Sequence, residues 1–283
     1  MKQNKKILHG TYTGAEGRAS AFDLTLSGKI NAPLVIFAHG YKGFKDWGPW
    51  HKVAEVFADR GFDFLKFNFS HNGGTVENPI DFPDTEAFAR NTYSKEAEDF
   101  NTVIGHAQRG LTFHTGVRKY THIFLIGHSR GGGIATVTAA AHRDIRGLAL
   151  WASVADFGER FRFDLNQWEK ERRVYIKNAR TGQDLPHDFK FYTDFKDNRE
   201  QLDILAAAGR VGCAALVVHG TDDEAVGHRN ADRLHAALPE SELLKIEGAG
   251  HTFGGKHPYE EEKLPPHLMQ AAEATAEFFA LRL

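Results

Sequence analysis

Cysteine is almost absent: Cys213 is the only one in 283 residues. An internal disulfide is excluded, a reducing compartment fits, and zinc or iron–sulfur sites built from several thiolates are ruled out. An excess of either charge is also missing. Lys and Arg number 35 against 37 Asp and Glu, so the chain lacks the basic footprint of a nucleic-acid binder. No run reaches the roughly 18 apolar residues of a membrane span. The amino-terminal stretch MKQNKKILHGTYTG has neither the apolar core of about 7 to 15 residues nor the small-residue cleavage site of a secretory leader. The expectation is a cytoplasmic protein with no nucleic-acid partner and no membrane partner. Histidine is plentiful, at sixteen, yet no two stand two to five positions apart. That removes the i, i+4 zinc pair and any H-E-x-x-H helix, so a histidine metal centre would have to be assembled from distant segments, and the reading carries no metal and no cofactor. Nothing in the sequence sets an oligomeric state.

What is present is globular: 41% hydrophobic, 12% aromatic and 25% charged residues. Two short strand candidates, 7–12 and 21–26, precede the continuously apolar run LVIFA at 34–38, which suits a strand buried on both faces. Helical spacing follows at 50–60, closed by Gly61, then strand at 62–69, helix at 93–108 and strand at 123–126. The alternation continues with a small-residue helix at 131–142, strands at 148–152 and 214–219, a helix at 229–238, a strand at 243–246 and a closing helix from about 266. Such repetition predicts an α/β fold with a mainly parallel sheet covered by helices on both faces. Length is the odd quantity, since 283 residues exceed a bare α/β domain but fall short of two full domains. The surplus is placed at 155–209, a mixture of aromatic and charged residues with no clean strand. An unbroken loop of that length is implausible, so this stretch is read as an inserted lid with helices of its own, and 1–154 with 210–283 as the core.

Gly127-His128-Ser129-Arg130-Gly131 fits G-x-S-x-G. It directly follows the apolar strand HIFLI and directly precedes the small-residue helix GGGIATVTAAA. A strand-to-helix turn this tight strains the serine backbone and lifts its hydroxyl above the sheet, and the flanking glycines remove clashing Cβ atoms. Serine is a weak nucleophile at its own pKa, so a base and an orienting acid are needed later in the chain. The strand AALVVHG ends at Thr221-Asp222-Asp223-Glu224, and the strand ELLKIEG runs on into Gly250-His251-Thr252. His251 is therefore the candidate base, and Asp222 and Asp223 are both candidates for the acid. His39, His128 and His219 also end strands, but each adjoins a glycine turn and reads better as a supporting hydrogen-bond partner.

From HGYKGFKDWG through GHSRGG and HGTDDEAV to GHTFGGKHP, the chain resembles the alpha/beta-hydrolases over nearly its whole length. Within them it is similar to serine-nucleophile members of the dienelactone-hydrolase-like, feruloyl-esterase-like and serine aminopeptidase-like group. The resemblance implies an alpha/beta-hydrolase fold. It also implies a pattern H-G-x-x-D-x-x-V that places the acid at Asp223, and an oxyanion hole made by the backbone N–H groups of Tyr41 and Arg130. Two features depart from the relatives. Dienelactone hydrolases proper carry cysteine where Ser129 stands, and the HGGG loop of many lipases is absent.

Fragments that mimic phosphate-handling enzymes fail on their required company. His142-Arg143-Asp144 has Ala149 where a catalytic loop needs asparagine, Asp156-Phe157-Gly158 has no G-x-G-x-x-G anywhere to accompany it, and Lys256 is followed by His257 rather than Ser or Thr. Phosphotransferase and non-catalytic binding module are the remote alternatives. The reading is a serine hydrolase that cleaves a small or aryl carboxylic ester through an acyl-enzyme, with an amide, peptide or thioester as the alternative bond. Asn68, His71, Trp47, Trp168 and Tyr175 are the candidate substrate contacts, with Phe191 a further aromatic.

Overall fold

The computed structural model describes residues 5–113 and 116–283; the first four residues of the stretch read for a leader lie outside these. In chain order the elements are β1 (Ile7–Thr13), β2 (Ala19–Thr25), β3 (Leu34–Ala38), α1 (Trp50–Asp59), β4 (Asp63–Phe67), α2 (Thr85–Ala89) and α3 (Tyr93–Arg109). They continue with β5 (Leu111–Phe113), β6 (Gly116–Arg118), β7 (Ile123–His128), α4 (Arg130–Ala139), β8 (Ile145–Trp151), α5 (Leu165–Glu171), β9 (Arg173–Lys177) and β10 (Asp184–Asp188). The last are α6 (Lys190–Asp197), α7 (Ile204–Ala208), β11 (Ala215–Gly220), α8 (Arg229–Ala237), β12 (Ser241–Ile246) and α9 (Pro266–Ala280).

Eight strands form one sheet in the order β1-β2-β4-β3-β7-β8-β11-β12. β1, β2 and β4 pair antiparallel, and from β4 to β12 every pairing is parallel. Because both faces are covered, the strand residues alternate between two apolar layers. Leu34, Ile36, Leu125 and Leu148 pack on the side of α3, α4 and α8. Val35, Phe37, Phe124 and Trp151 pack against α1 and α9 on the other. Period-two alternation within continuously apolar strands is what a doubly covered sheet requires. The chain reverses its direction of travel across the sheet between β3 and β7: β4 lies to one side of β3, and β7 to the other. Loops leaving the carboxyl ends of two such strands diverge and open a crevice between them.

Helix ends follow local chemistry. Thr92 caps α3 by accepting from Lys95 N, and α1 runs out at Gly61, whose φ of 92° is open to glycine at no steric cost. The segment between β8 and β11 adds nothing to the main sheet. Where the sequence shows no clean strand, it contains the antiparallel pair β9–β10 along with the helices α5, α6 and α7. β9 is only half-buried and β10 carries Pro186, so neither presents an apolar run, and a two-stranded pair tolerates the proline that a central strand would not. Its aromatic residues Phe157, Trp168, Phe189 and Phe191 are continuous with the apolar layer on the α3 and α4 side. Among the described residues no helix is long and apolar enough to cross a membrane, and no three His, Cys, Asp or Glu side chains form a metal-binding group.

Candidate active site

Ser129 stands at the turn between β7 and α4 with φ 58° and ψ −121°, a strained conformation for a residue with a Cβ. Neighbouring glycines make the turn feasible. A Cβ on Gly127 would lie 2.3 Å from the Gly131 carbonyl oxygen, and one on Gly131 would lie 2.4 Å from the His39 oxygen. The strain is held by hydrogen bonds, since Ser129 N donates to Trp151 O at 2.9 Å, and Ser129 O accepts from Gly132 N at 3.0 Å.

His251 leaves the loop after β12 and reaches Ser129. Its Nε2 lies 2.9 Å from Ser129 Oγ, and its Nδ1 lies 2.8 Å from Asp223 Oδ2. An ionised carboxylate only accepts, so Nδ1 carries the proton and Nε2 is left free to accept from the serine hydroxyl. Asp223 follows β11 and its side chain is sealed from solvent. Oδ1 accepts from Ala225 N at 2.9 Å and Val226 N at 2.8 Å, and His219 Nε2 lies 3.2 Å from Oδ2. Burial by itself raises the carboxyl pKa. Hydrogen bonds from His219, His251 and the Val226 amide outweigh it and hold the group well below the usual carboxylate range. Asp222, one position earlier, is exposed, and its Oδ1 accepts from Thr221 Oγ1 at 3.2 Å.

His39 and His128 are neutral donors. Burial, reinforced by the nearby His251 ring, pushes the His128 pKa down to about 3, and its Nε2 donates to the His251 carbonyl at 2.9 Å. Burial pushes His39 down to about 4, and its Nδ1 donates to Gly40 O at 2.9 Å. Gly43 N donates to the same oxygen at 3.0 Å. A trans peptide sets its C=O and N–H on opposite sides, so pinning the Gly40 carbonyl turns the Tyr41 N–H the other way. Gly40 abuts Ser129, because a Cβ there would sit 2.8 Å from the serine Cβ. The second backbone donor named above, Arg130 N, belongs to the first turn of α4, where amides have no intrahelical acceptor.

Two cavities, of about 490 and about 400 Å³, meet at Ser129, Tyr41 and His251. The larger is walled by Phe157, Phe161, Phe163 and Phe191 and by the side chain of Arg130. That guanidinium is buried, 3.3 Å from Glu96 Oε1 and 4.2 Å from the centre of the Tyr41 ring. The Tyr41 hydroxyl, pushed up to about 12 mainly by burial, keeps its proton and donates to His187 Nε2 at 2.6 Å. Burial, followed by the charge of Arg130, lowers His187 to about 3, which leaves it neutral and able to accept.

Of the sequence-derived substrate contacts, Trp47 lines the smaller cavity and Phe191 the larger. Asn68, His71, Trp168 and Tyr175 line neither. Asn68 is buried, holding Lys45 N at 2.6 Å and Pro79 O at 2.8 Å. His71 is buried between Ser70 Oγ and Glu16. Trp168 is sealed in the apolar layer, with Nε1 donating to His187 O at 2.9 Å, and Tyr175 faces solvent at 61% exposure. His187, Arg160 and Arg162 border the larger cavity and were not singled out in the sequence, where no motif or strand end marks them. Cys213 is remote from both cavities, and burial pushes its thiol up to about 11.

The model of the alpha/beta hydrolase family matches residues 35–262. No curated protein matches the chain as a relative. Among solved structures, the ferulic acid complex of Est1E from Butyrivibrio proteoclasticus is 20% identical, covers 96% of this chain and 99% of its own, and superposes with a TM-score of 0.72. A dienelactone hydrolase from Anabaena variabilis is 17% identical, with coverage of 99% and 100% and a TM-score of 0.64. A puromycin-hydrolysing peptidase from Mycobacterium tuberculosis is 17% identical and has a TM-score of 0.66; the match covers 99% of this chain but only 39% of the peptidase. At these identities the likeness is one of fold.

Proposed function

The chain belongs to the alpha/beta hydrolase family, and from that premise we propose that it is a serine hydrolase that cleaves a small or aryl carboxylic ester through an acyl-enzyme. The observation that carries the proposal is the continuous relay from Asp223 Oδ2 through His251 to Ser129 Oγ, lying where the two cavities meet. Substrate enters with its carbonyl carbon against Ser129 Oγ. His251 Nε2 takes the hydroxyl proton as the Oγ–C bond forms, and Asp223 holds the Nδ1–H tautomer and stabilises the imidazolium. The carbonyl π pair moves onto oxygen, where the N–H groups of Tyr41 and Arg130 receive the charge, each worth about 3 to 4 kcal/mol in such sites. Collapse expels the alcohol oxygen, which leaves with the proton from His251. Water then repeats the sequence on the acyl-serine and releases the acid.

The two cavities suit the two halves of an ester, one on each side of the scissile bond. Residues 155–209, which supply Phe157, Phe161, Phe163 and Phe191 to the larger cavity, serve as a cap that shapes specificity while the relay stays on the core. Turnover of p-nitrophenyl acetate, followed by absorbance, tests the proposal. Wild type is expected to hydrolyse the ester and Ser129→Ala to fall to background with an unchanged melting temperature. Retained turnover in that variant would assign the chemistry to another nucleophile.

A further inference from the structure

The charge on the cavity walls bears on the substrate. Basic groups supply all of the strongly charged lining: Arg130, Arg160 and Arg162 around the larger cavity, and Lys42, Lys177 and Arg180 around the smaller. No Asp or Glu lines either one among the described residues, although acids outnumber bases in the whole chain by 37 to 35. Three of the six cations are neutralised nearby. Arg130 pairs with Glu96 at 3.3 Å, Lys177 with Asp184 at 3.2 Å, and Arg180 with Asp81.

Of the other three, Lys42 reaches the Lys177 carbonyl at 3.4 Å, while Arg160 and Arg162 share a wall of the larger cavity. The acids closest to them in sequence are engaged elsewhere: Glu159 pairs with Arg233 at 2.8 Å, Asp156 faces the same Arg233 at 3.9 Å, and Asp164 caps α5 by accepting from Gln167 N at 3.0 Å. Arg160 reaches only a backbone acceptor, Ala225 O, at 3.3 Å. Burial is the main influence that lowers its pKa, the charge of Arg162 lowers it further, and the Glu159 carboxylate acts in the opposite sense. Arg160 is half-buried and Arg162 exposed at the same cavity wall, and the Glu159 carboxylate offsets only part of their charge, so a net positive potential there favours an anion. A guanidinium presents paired N–H donors that match a carboxylate, and such charge-assisted hydrogen bonds are stronger than neutral ones.

Resting on the reading of Ser129 as nucleophile, we infer that the substrate is an ester that also bears a free carboxylate, received by Arg160 and Arg162 in the larger cavity. The aromatic walls there, Phe157, Phe161, Phe163 and Phe191, cover the apolar body between that carboxylate and the scissile bond.

Matched ester pairs test this at either end of the molecule. 4-Nitrophenyl hydrogen glutarate against its methyl ester places the charge in the acyl part, and 4-acetoxybenzoate against its methyl ester places it in the alcohol part. For at least one pair the wild-type enzyme is expected to show kcat/KM about tenfold or more higher for the anion, as one charge-assisted contact is worth. That ratio is expected to shrink in about 0.5 M salt, which screens partly exposed charges, and to collapse towards one in R160Q/R162Q. Equal rates for charged and neutral members of both pairs in the wild type would overturn the inference, as would a preference that survives R160Q/R162Q. Hydrolysis of neutral esters without a charge preference sinks this inference alone, whereas a Ser129 inert to every ester sinks the proposed chemistry. In that event calorimetric binding of 4-acetoxybenzoate and of its methyl ester to Ser129→Ala still reads the carboxylate preference. If the arginine variant does not fold, the wild-type ratio and its salt dependence decide.

Discussion

Asp222 and Asp223 are adjacent, identical in chemistry, and differently placed. Asp223 turns inward to four donors, while Asp222 stays in solvent. Asp223→Asn offers an amide where a carboxylate orients His251, so kcat is expected to fall on the order of 10³- to 10⁴-fold. Asp222→Asn is expected to stay within about twofold of wild type. Steady-state kinetics on one ester distinguishes the pair, and equal losses would contradict the assignment. Spacing alone leaves these two aspartates open, because the direction of a loop side chain depends on contacts made by distant segments. Ser129 and His251 are easier to see, since Ser129 directly follows β7 and His251 follows a glycine in the short loop after β12, both strands that the hydrophobic pattern already locates. Asn68, His71, Trp168 and Tyr175 were misplaced for the converse reason. A polar or aromatic residue near a strand end has several neighbours to choose from, and here Asn68 serves Lys45 and Pro79 while Trp168 serves His187.

At the scale of elements, the turn from β7 into α4 leaves no room for side chains at its glycines. Gly131→Ala would bring a Cβ within 2.4 Å of His39 O and 2.5 Å of Ala38 O, both backbone atoms that cannot swing aside. Overpacking of this kind costs about 1 to 3 kcal/mol or more. A melting temperature lowered by several degrees, together with slower acylation, is expected by calorimetry and ester kinetics; an unchanged melting temperature would show that the turn is looser than its geometry indicates. Trp168→Ala empties a fully buried site in the insertion and is expected to cost about 3 to 5 kcal/mol, measured by chemical denaturation. The main sheet was legible because strands buried on both faces are written as continuous apolar runs, as in LVIFA of β3. β9 and β10 were not, because a half-buried pair with a proline carries no such run and is stabilised by specific partners, including Arg173 with Asp188 and with Glu86.

Across the whole molecule, burial leaves several histidines neutral. It holds His39 and His71 at about 4, and His128 and His187 at about 3, each mainly through desolvation. The unfolded chain binds protons at these positions below roughly pH 6.5 and the folded chain does not. Their contribution to stability is therefore present above that pH and is lost as pH falls towards 4. Two buried carboxyls with raised pKa, Asp99 at about 7 and Glu96, act in the opposite sense. His51 and His257, also lowered mainly by burial, act with the four histidines, so unfolding near pH 5 takes up protons on balance. Denaturant titrations at pH 7.5 and pH 5 are expected to show marked loss of stability in acid, and a flat profile would contradict the buried neutral state of these rings. The surplus length of the chain resolves at this scale into the segment between β8 and β11, which forms much of the larger cavity wall without entering the main sheet. The proposed chemistry rests on one residue. Intact mass and peptide mapping after exposure to a fluorophosphonate test it most directly: a single adduct on the peptide containing Ser129, absent in Ser129→Ala, is predicted, and a folded wild-type protein left unlabelled, or labelled elsewhere, would contradict the account.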